Sequence, residues 1–195
     1  MAATHSTRLE PESRRLLLQT ASAAIEAGPG QSGMTAPVLA GLPAELLRER
    51  ASFVTLTVGL ELRGCCGTLE ARRPLAVDVW RNARSSAFDD PRFPPLERQE
   101  WAGVAIEVSV LSPLERITAG SEAALVRQLV AGEDGLLLVW RGTRATFLPK
   151  VWLQIDAPRD FVLRLKRKAG WPDRFWATDL EAWRYRAEQM SAGLP

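Results

Sequence analysis

The chain has 195 residues, a mass of 21.5 kDa and a net charge of +2, with 46% apolar and 25% charged residues. This composition is that of an ordinary soluble domain and excludes a collagen, a coiled coil and a disordered chain. The near balance of 25 basic and 23 acidic residues gives no general attraction to nucleic acid. No apolar run approaches the roughly 18 residues of a membrane span.

The chain start and the cysteines indicate the compartment. Residues 1–10 read as a polar tail without the apolar stretch of a secretory signal. The two cysteines, Cys65 and Cys66, are adjacent and cannot join distant segments, which is typical of a reducing environment. We therefore expect a cytoplasmic protein.

The first elements follow from helix and strand signals. A helix begins at Pro11 and ends before Gly28, and a Gly/Pro/Ser-rich connector covers 29–37. The next predicted elements are, in chain order, a helix at 43–50, strands at 52–58 and 62–69, a helix at 74–87 and a strand at 103–111.

A second string of elements repeats this order about 80 residues later. It consists of a helix at 121–131, strands at 136–141 and 143–148, a helix at 158–169 and a strand at 181–187. Tight glycine turns favour antiparallel hairpins, and the intervening helices must cover a sheet face. The pattern predicts an α+β fold with a mostly antiparallel sheet and covering helices. We expect one domain over 11–191 with two lobes, and the repeat-like units at about 43–112 and 121–190 suggest an internal duplication.

The segment 62–68 reads LRGCCGT and is the strongest candidate for chemistry. Consecutive strand residues face opposite sides, so only one of Cys65 and Cys66 is expected to face a site unless the strand bulges. Gly64 and Gly67 mark a bulge, or a close approach of another backbone or of a ligand. The charge of Arg63 favours the thiolate form of Cys65, while the alternative is that either cysteine only fills the core.

A general base is harder to find in this sequence. The single histidine, His5, lies in the polar tail, so a cysteine–histidine pair is not expected. The alternation of the strand at 103–111 predicts that Glu107 points inward, which makes it the candidate proton acceptor. The alternative is that Glu107 forms a structural ion pair with an arginine such as Arg63. No metal-ligand spacing and no glycine-rich phosphate motif is present, so no metal and no cofactor is predicted.

The segment 62–68 resembles the LRGCxGT signature of the AMMECR domain family. Four later segments match later blocks of that family in the same order: 90–96 (DPRFPPL), 106–113 (IEVSVLSP), 147–149 (FLP) and 168–170 (KAG). Bacterial and archaeal members resemble the A protein of the AmmeMemoRadiSam system, which is associated with a Memo-type protein and a radical SAM protein. Cys66 stands where the family usually has isoleucine, which implies a packing role and a sealed position.

The resemblance implies a site as well as a fold. It places the 62–68 segment and the loop with Asp90 and Arg92 along an inter-lobe cleft. With Glu107 taken from the strand pattern above, Cys65 and Glu107 are the expected catalytic residues. The expected contacts to a small molecule or modified peptide are Arg63, Gly64, Gly67, Thr68, Asp90 and Arg92.

Two other functions compete with an enzyme. One is a non-catalytic adaptor that docks the Memo-type and radical SAM partners. The other is RNA binding through the basic stretch 159–174, with Arg164, Lys166 and Arg167 on the outer side of a helix. A solvated helix face is the simpler explanation of that stretch, because no stacking aromatics interleave with the charges.

Overall fold

The structure is a computed structural model that describes residues 8–29 and 37–194. The helices are α1 (Pro11–Glu26), α2 (Ala44–Leu47), α3 (Leu75–Arg84), α4 (Glu122–Val126) and α5 (Pro158–Lys168). The strands are β1 (Ser52–Val58), β2 (Glu61–Gly67), β3 (Val104–Leu111), β4 (Glu115–Ile117), β5 (Gly135–Trp140), β6 (Thr143–Phe147), β7 (Glu181–Tyr185) and β8 (Ala187–Gly193). A π-helical turn at Ser85–Asp89 continues α3, and short 3-10 helices lie at Arg98–Gly103 and Pro149–Gln154.

The chain divides into two compact units. The first holds the residues up to Leu111 together with those from Glu188 onward, and the second is Ser112–Ala187. The first unit contains a four-stranded sheet in the order β2-β1-β3-β8, and the second a four-stranded sheet in the order β4-β7-β5-β6. The strand β8 therefore returns to the first unit after the second is complete.

One face of the first sheet carries the core of its unit. Side chains alternate along β1 and β3, so Val54, Leu56, Ile106 and Val108 share one buried face. Two amphipathic helices, α1 and α3, cover that face with residues spaced for one helical stripe. The covering residues are Leu17, Ala21, Ala24, Ile25, Leu75, Ala76, Val79 and Ala83.

The second unit has its own core around α5. Phe161 and Trp152 stack with ring centroids 3.9 Å apart, and Leu165 packs one turn along the helix. Opposite them, Leu136 and Leu138 of β5 and Ala182 of β7 close the core from the sheet side. This arrangement follows from period-2 alternation in the strands and a 3.6-residue stripe in the helix.

The structure confirms the α+β fold with antiparallel sheets. The order helix, hairpin, helix, strand occurs in both units, while the duplication stays a prediction. The connector at 29–37 and the polar tail lie largely outside the described residues. In residues 8–29 and 37–194, no helix is both long and apolar enough to cross a membrane.

Two expectations about helices of the second unit are wrong. The predicted helix at 121–131 is only Glu122–Val126, because the chain turns at Gly132 with a φ of 82° and the Asp134 carboxylate accepts the Val130 amide. Lys166 does not lie on the outer side of α5: it is fully buried, and its ammonium group donates to Glu122 and to the Asp173 carbonyl. A buried, paired lysine does not contribute to a basic surface.

Candidate functional site

The segment LRGCCGT forms most of β2, the outer strand of the first sheet. Thr55 of β1 pairs with Cys65, Leu56 pairs with Gly64, and Thr57 pairs with Leu62. Arg63 is therefore an extra residue in β2, which is a β-bulge of the kind that the glycine spacing predicts. Since Thr55 and Thr57 share a face, the bulge brings Leu62 and Cys65 to that same face although they are three residues apart.

The two glycines of the segment are required by packing. A Cβ on Gly64 would lie 2.0 Å from the carbonyl oxygen of Ser86, and a Cβ on Gly67 would lie 2.2 Å from the Phe53 ring. Both distances are far below van der Waals contact. The close approach predicted for these positions comes from the protein's own π-helical turn and aromatic ring.

Arg63 donates hydrogen bonds to three groups of the segment 94–100. Its guanidinium donates to the Glu100 carboxylate at 2.7 and 2.9 Å and to the carbonyls of Pro94 and Pro95 at 2.9 and 3.4 Å. The hydrogen bonds with Glu100 raise the pKa of Arg63 and lower that of Glu100. The ion-pair partner of Arg63 is thus Glu100, where the sequence suggested Glu107. The expected contact of Arg63 with a ligand stays a prediction.

Thr68 belongs to a buried polar network centred on Asp78. The Asp78 carboxylate, 1% exposed, accepts from the Thr68 hydroxyl at 2.8 Å and from the Ser52 hydroxyl and amide at 2.7 and 2.9 Å. Asn82 donates to the same carboxylate at 2.9 Å. Sequence reasoning missed this network, although Asp78 and Asn82 stand at inward positions of the amphipathic stripe of α3.

Asp90 and Arg92 bind the backbone of Cys65 at the free edge of β2. The Asp90 carboxylate accepts the Cys65 amide at 2.8 Å, and Arg92 donates to the Cys65 carbonyl at 3.1 Å. Arg92 also donates to both Asp90 oxygens, at 2.9 and 2.6 Å. The Arg92 hydrogen bonds, together with the Cys65 amide, hold the pKa of Asp90 well below its usual range despite burial. The structure therefore gives these two residues contacts within the protein, where ligand contacts were expected.

The two thiols lie on opposite faces of β2. Cys66 pairs with Val54 and so faces the helices, and its amide donates to the Ser86 hydroxyl at 2.8 Å. Burial and the nearby Asp90 carboxylate raise the pKa of the Cys66 thiol. Cys66 is nevertheless only half-buried, so the prediction that it is sealed inside is wrong. The physical reason is its place on an outer strand, where only one side is covered by another strand.

Cys65 lies on the other face in a row of three polar side chains. Thr55 pairs with Cys65 on one side and with Glu107 on the other, so all three point the same way. The Cys65 sulfur lies 3.4 Å from the Thr55 hydroxyl, and the thiol is half-buried. Neighbouring strands are about 4.8 Å apart, so the backbones of Cys65 and Glu107 are separated by roughly 10 Å. A proton passing between them needs the Thr55 hydroxyl or a bound molecule as a bridge.

Thr55 is the member of this row that sequence reasoning missed. The alternation of Phe53, Thr55 and Thr57 against Val54 and Leu56 was the available signal. It could not be used without the register of three strands and the position of the bulge.

A groove of about 560 Å³ lies elsewhere in the first unit. It runs along α1 and the end of β8, with Leu18, Ile106 and Ala192 among its lining residues. None of the predicted site residues lines it, so it does not serve the Cys65 row. Among the residues that the structure describes, no group of three or more histidine, cysteine or acidic side chains could hold a metal ion.

Fold and site together define an α+β protein with a glycine-flanked cysteine on the outer strand of a four-stranded sheet. The family model AMMECR1 matches residues 18–190, and the chain belongs to this family. A protein of Thermococcus onnurineus is 33% identical over 195 residues, which is 96% of this chain and 94% of that protein. A protein of Thermotoga maritima is 36% identical over 152 residues, which is 76% of this chain and 82% of that protein.

The fold is also found in a solved structure. The crystal structure of the uncharacterized protein PH0010 from Pyrococcus horikoshii matches with a TM-score of 0.87 and 30% identity. The match covers 96% of this chain and 95% of that chain. It bears on the fold and the family.

Proposed function

We propose that the chain is an enzyme, or a component of one, that binds a small molecule or a modified peptide at Cys65. One observation carries this proposal. In the LRGCCGT segment, Arg63, Gly64, Gly67 and Thr68 each have a packing or hydrogen-bonding role inside the first unit. The half-buried Cys65 thiol has the Thr55 hydroxyl as its described contact, at 3.4 Å.

The row of side chains supports a simple division of roles. The Cys65 sulfur is the nucleophile, and its electron pair adds to the electrophilic carbon of a polarised double bond in the substrate; the π pair of that bond moves to the far atom, which takes up a proton from solvent. The thiol proton passes to the Thr55 hydroxyl, whose own proton moves to the Glu107 carboxylate across the row. The Memo-type and radical SAM proteins are the proposed partners that supply or consume the substrate. The inter-lobe cleft stays a prediction, because every residue of this row belongs to the first unit.

Co-expression with the two partner proteins tests this function. We expect the intact mass of the wild type and of Cys66→Ser to include an adduct that peptide mapping places on Cys65. Cys65→Ser should carry no adduct. An unmodified chain in all three preparations contradicts covalent chemistry at this position.

A second function, the non-catalytic adaptor, is favoured by the hairpin that joins β1 and β2. Leu60 at its tip is fully exposed, and Val58 and Leu62 are 39% and 42% exposed. Exposed apolar side chains grouped at one place are typical of a protein contact. As an adaptor, the chain would dock its partners through this tip and would not need the thiol.

Binding to immobilised partner protein separates the two functions. For an adaptor, Leu60→Ser abolishes binding and Cys65→Ser leaves it intact. Leu153→Ser is the matched control, because Leu153 is 88% exposed in the second unit. Equal binding by wild type and Leu60→Ser contradicts an adaptor function of the hairpin.

A further inference from the structure

The free edge of β2 is closed by side chains where a neighbouring strand would otherwise lie. An edge strand leaves backbone amides and carbonyls without strand partners. At Cys65 both groups are bound: the amide donates to Asp90 at 2.8 Å and the carbonyl accepts from Arg92 at 3.1 Å. A carboxylate and a guanidinium thus take the places of the carbonyl and the amide of a fifth strand.

We propose that Asp90 and Arg92 form a clamp that fixes the backbone of Cys65 and thereby positions its thiol against Thr55. This inference rests on the proposed function for its chemical consequence, and it makes Asp90 and Arg92 positioning residues. The ligand contacts that the family resemblance implies for them stay a prediction.

Hydrogen bonds and a ring contact fix the loop that carries Asp90 and Arg92. Asp90 directly follows the π-helical turn, and the Phe93 amide donates to its carbonyl at 3.1 Å. Leu96, which is buried, donates its amide to the carbonyl of Ala87 at 2.7 Å. The Arg92 guanidinium lies over the Phe93 ring at 5.5 Å. The loop therefore presents its two charged groups at a set distance from β2.

The opposite charges of Asp90 and Arg92 strengthen the hydrogen bonds of the clamp, and the pair carries no net charge. Both partners of the pair are ionised, and hydrogen bonds to ionised groups are roughly twice as strong as neutral ones. The Asp90 side chain is 3% exposed while that of Arg92 is 54% exposed. Asp90 is therefore the buried anchor, and Arg92 is the member that can be changed with less risk to folding.

The bulge explains why a clamp is needed at this residue. With Arg63 inserted, the strand bends at the residues before Cys65, and the Gly64 position lies against the Ser86 carbonyl. Bulges locally disrupt the ladder that would otherwise hold the strand. The hydrogen bonds of Asp90 and Arg92 fix the Cys65 amide and carbonyl, and so they fix the direction of the Cys65 side chain.

The test uses the full chain and two readouts at Cys65. The first is amide exchange of Cys65, followed by NMR on protein labelled at cysteine. We expect this exchange to be about tenfold or more faster in Arg92→Leu and in Asp90→Asn than in the wild type. The second is the rate of iodoacetamide alkylation at Cys65, measured in a Cys66→Ser background with N-acetylcysteine as the reference thiol.

For alkylation we expect Arg92→Leu to slow Cys65 by at least about threefold relative to wild type. Arg92→Lys, which keeps the charge next to Asp90, should restore part of the rate. Thermal unfolding of each variant provides the control for folding. If Asp90→Asn does not fold, the two Arg92 variants decide the question.

The outcomes separate this inference from the proposed function. Unchanged amide exchange at Cys65 in Arg92→Leu overturns the clamp, as does an unchanged or faster alkylation rate. A wild-type Cys65 that reacts no faster than a free thiol overturns the proposed chemistry. In that case, faster amide exchange in the variants still supports the clamp as a device that holds the strand edge.

Discussion

The Cys65 sulfur lies 3.4 Å from the Thr55 hydroxyl, in a row that continues to Glu107 on the next strand. This relationship separates Cys65 from Cys66, whose thiol faces the helices and has a raised pKa. One outer strand therefore presents one thiol to a polar row and the other to the core. The difference arises from strand alternation, and the bulge at Arg63 sets its register.

Gly64→Ala should destabilise the first unit severely. The added Cβ would lie 2.0 Å from the Ser86 carbonyl oxygen. Because this oxygen belongs to the backbone, it cannot move away as easily as the end of a flexible side chain. We expect a loss of about 2 kcal/mol or more in the free energy of unfolding, measured by urea denaturation. Gly193→Ala is the control, because a Cβ there has no atom within 4 Å and the glycine needs no positive φ. Equal stability of the two variants contradicts the close approach of β2 to the π-helical turn.

The stabilising effect of Asp90 should depend on pH in a defined direction. Its pKa in the folded protein lies below the value of about 3.9 for an unfolded aspartate, so the folded state favours the ionised form. Its contribution is complete at pH values above about 4 and is lost as the pH falls toward the folded pKa. We expect wild type to exceed Asp90→Asn by about 2 kcal/mol at pH 7 and the difference to shrink below pH 4 or so.

Urea denaturation at a series of pH values checks this dependence. Asp173→Asn is the control, because the Asp173–Arg167 ion pair is exposed on both sides and should show little change in stability. A difference between wild type and Asp90→Asn that stays constant down to pH 2 or so would show that the Asp90 carboxylate is not held ionised by its hydrogen bonds.

Thr68→Val distinguishes a structural threonine from a ligand contact. The substitution keeps the shape of the side chain and removes the hydroxyl that donates to Asp78 at 2.8 Å. We expect unfolding to become easier by about 2 kcal/mol, since the lost hydrogen bond ends on a buried carboxylate. The rate of Cys65 alkylation should not change. A large loss of that rate with unchanged stability would show that Thr68 acts at the Cys65 site and has no structural role.

The elements that could be predicted from the sequence are those with local signals. The hairpin at Gly59, the alternation over 103–111 and the stop of α1 at Gly28 each depend on residues within one segment. The strand β8 was missed because its sequence, AEQMSAG, lacks alternation and β-branched residues. It is a strand because the edge of β3 is available to pair with it, which is a tertiary effect.

The candidate site was predictable only in part for the same reason. Cys65 stands out through its flanking glycines and its family motif, and both are visible in the sequence. The hydrogen bonds between Asp90 and Cys65 and between Arg63 and Glu100 join residues that are 25 and 37 positions apart in the sequence. Contacts of that range depend on the packed structure. The family resemblance implies ligand contacts for Asp90 and Arg92, and their hydrogen bonds to the Cys65 backbone could not be predicted from it.

The central claim is that the Cys65 thiol is available for chemistry, and its alkylation rate tests this most directly. Iodoacetamide is added at pH 7 to wild type, Cys65→Ser and Cys66→Ser, with N-acetylcysteine as the reference thiol, and peptide mass spectrometry follows each cysteine. We predict that Cys65 reacts faster than N-acetylcysteine and that Cys66 reacts more slowly, because its thiol pKa is raised. A Cys65 that reacts no faster than N-acetylcysteine would contradict the account.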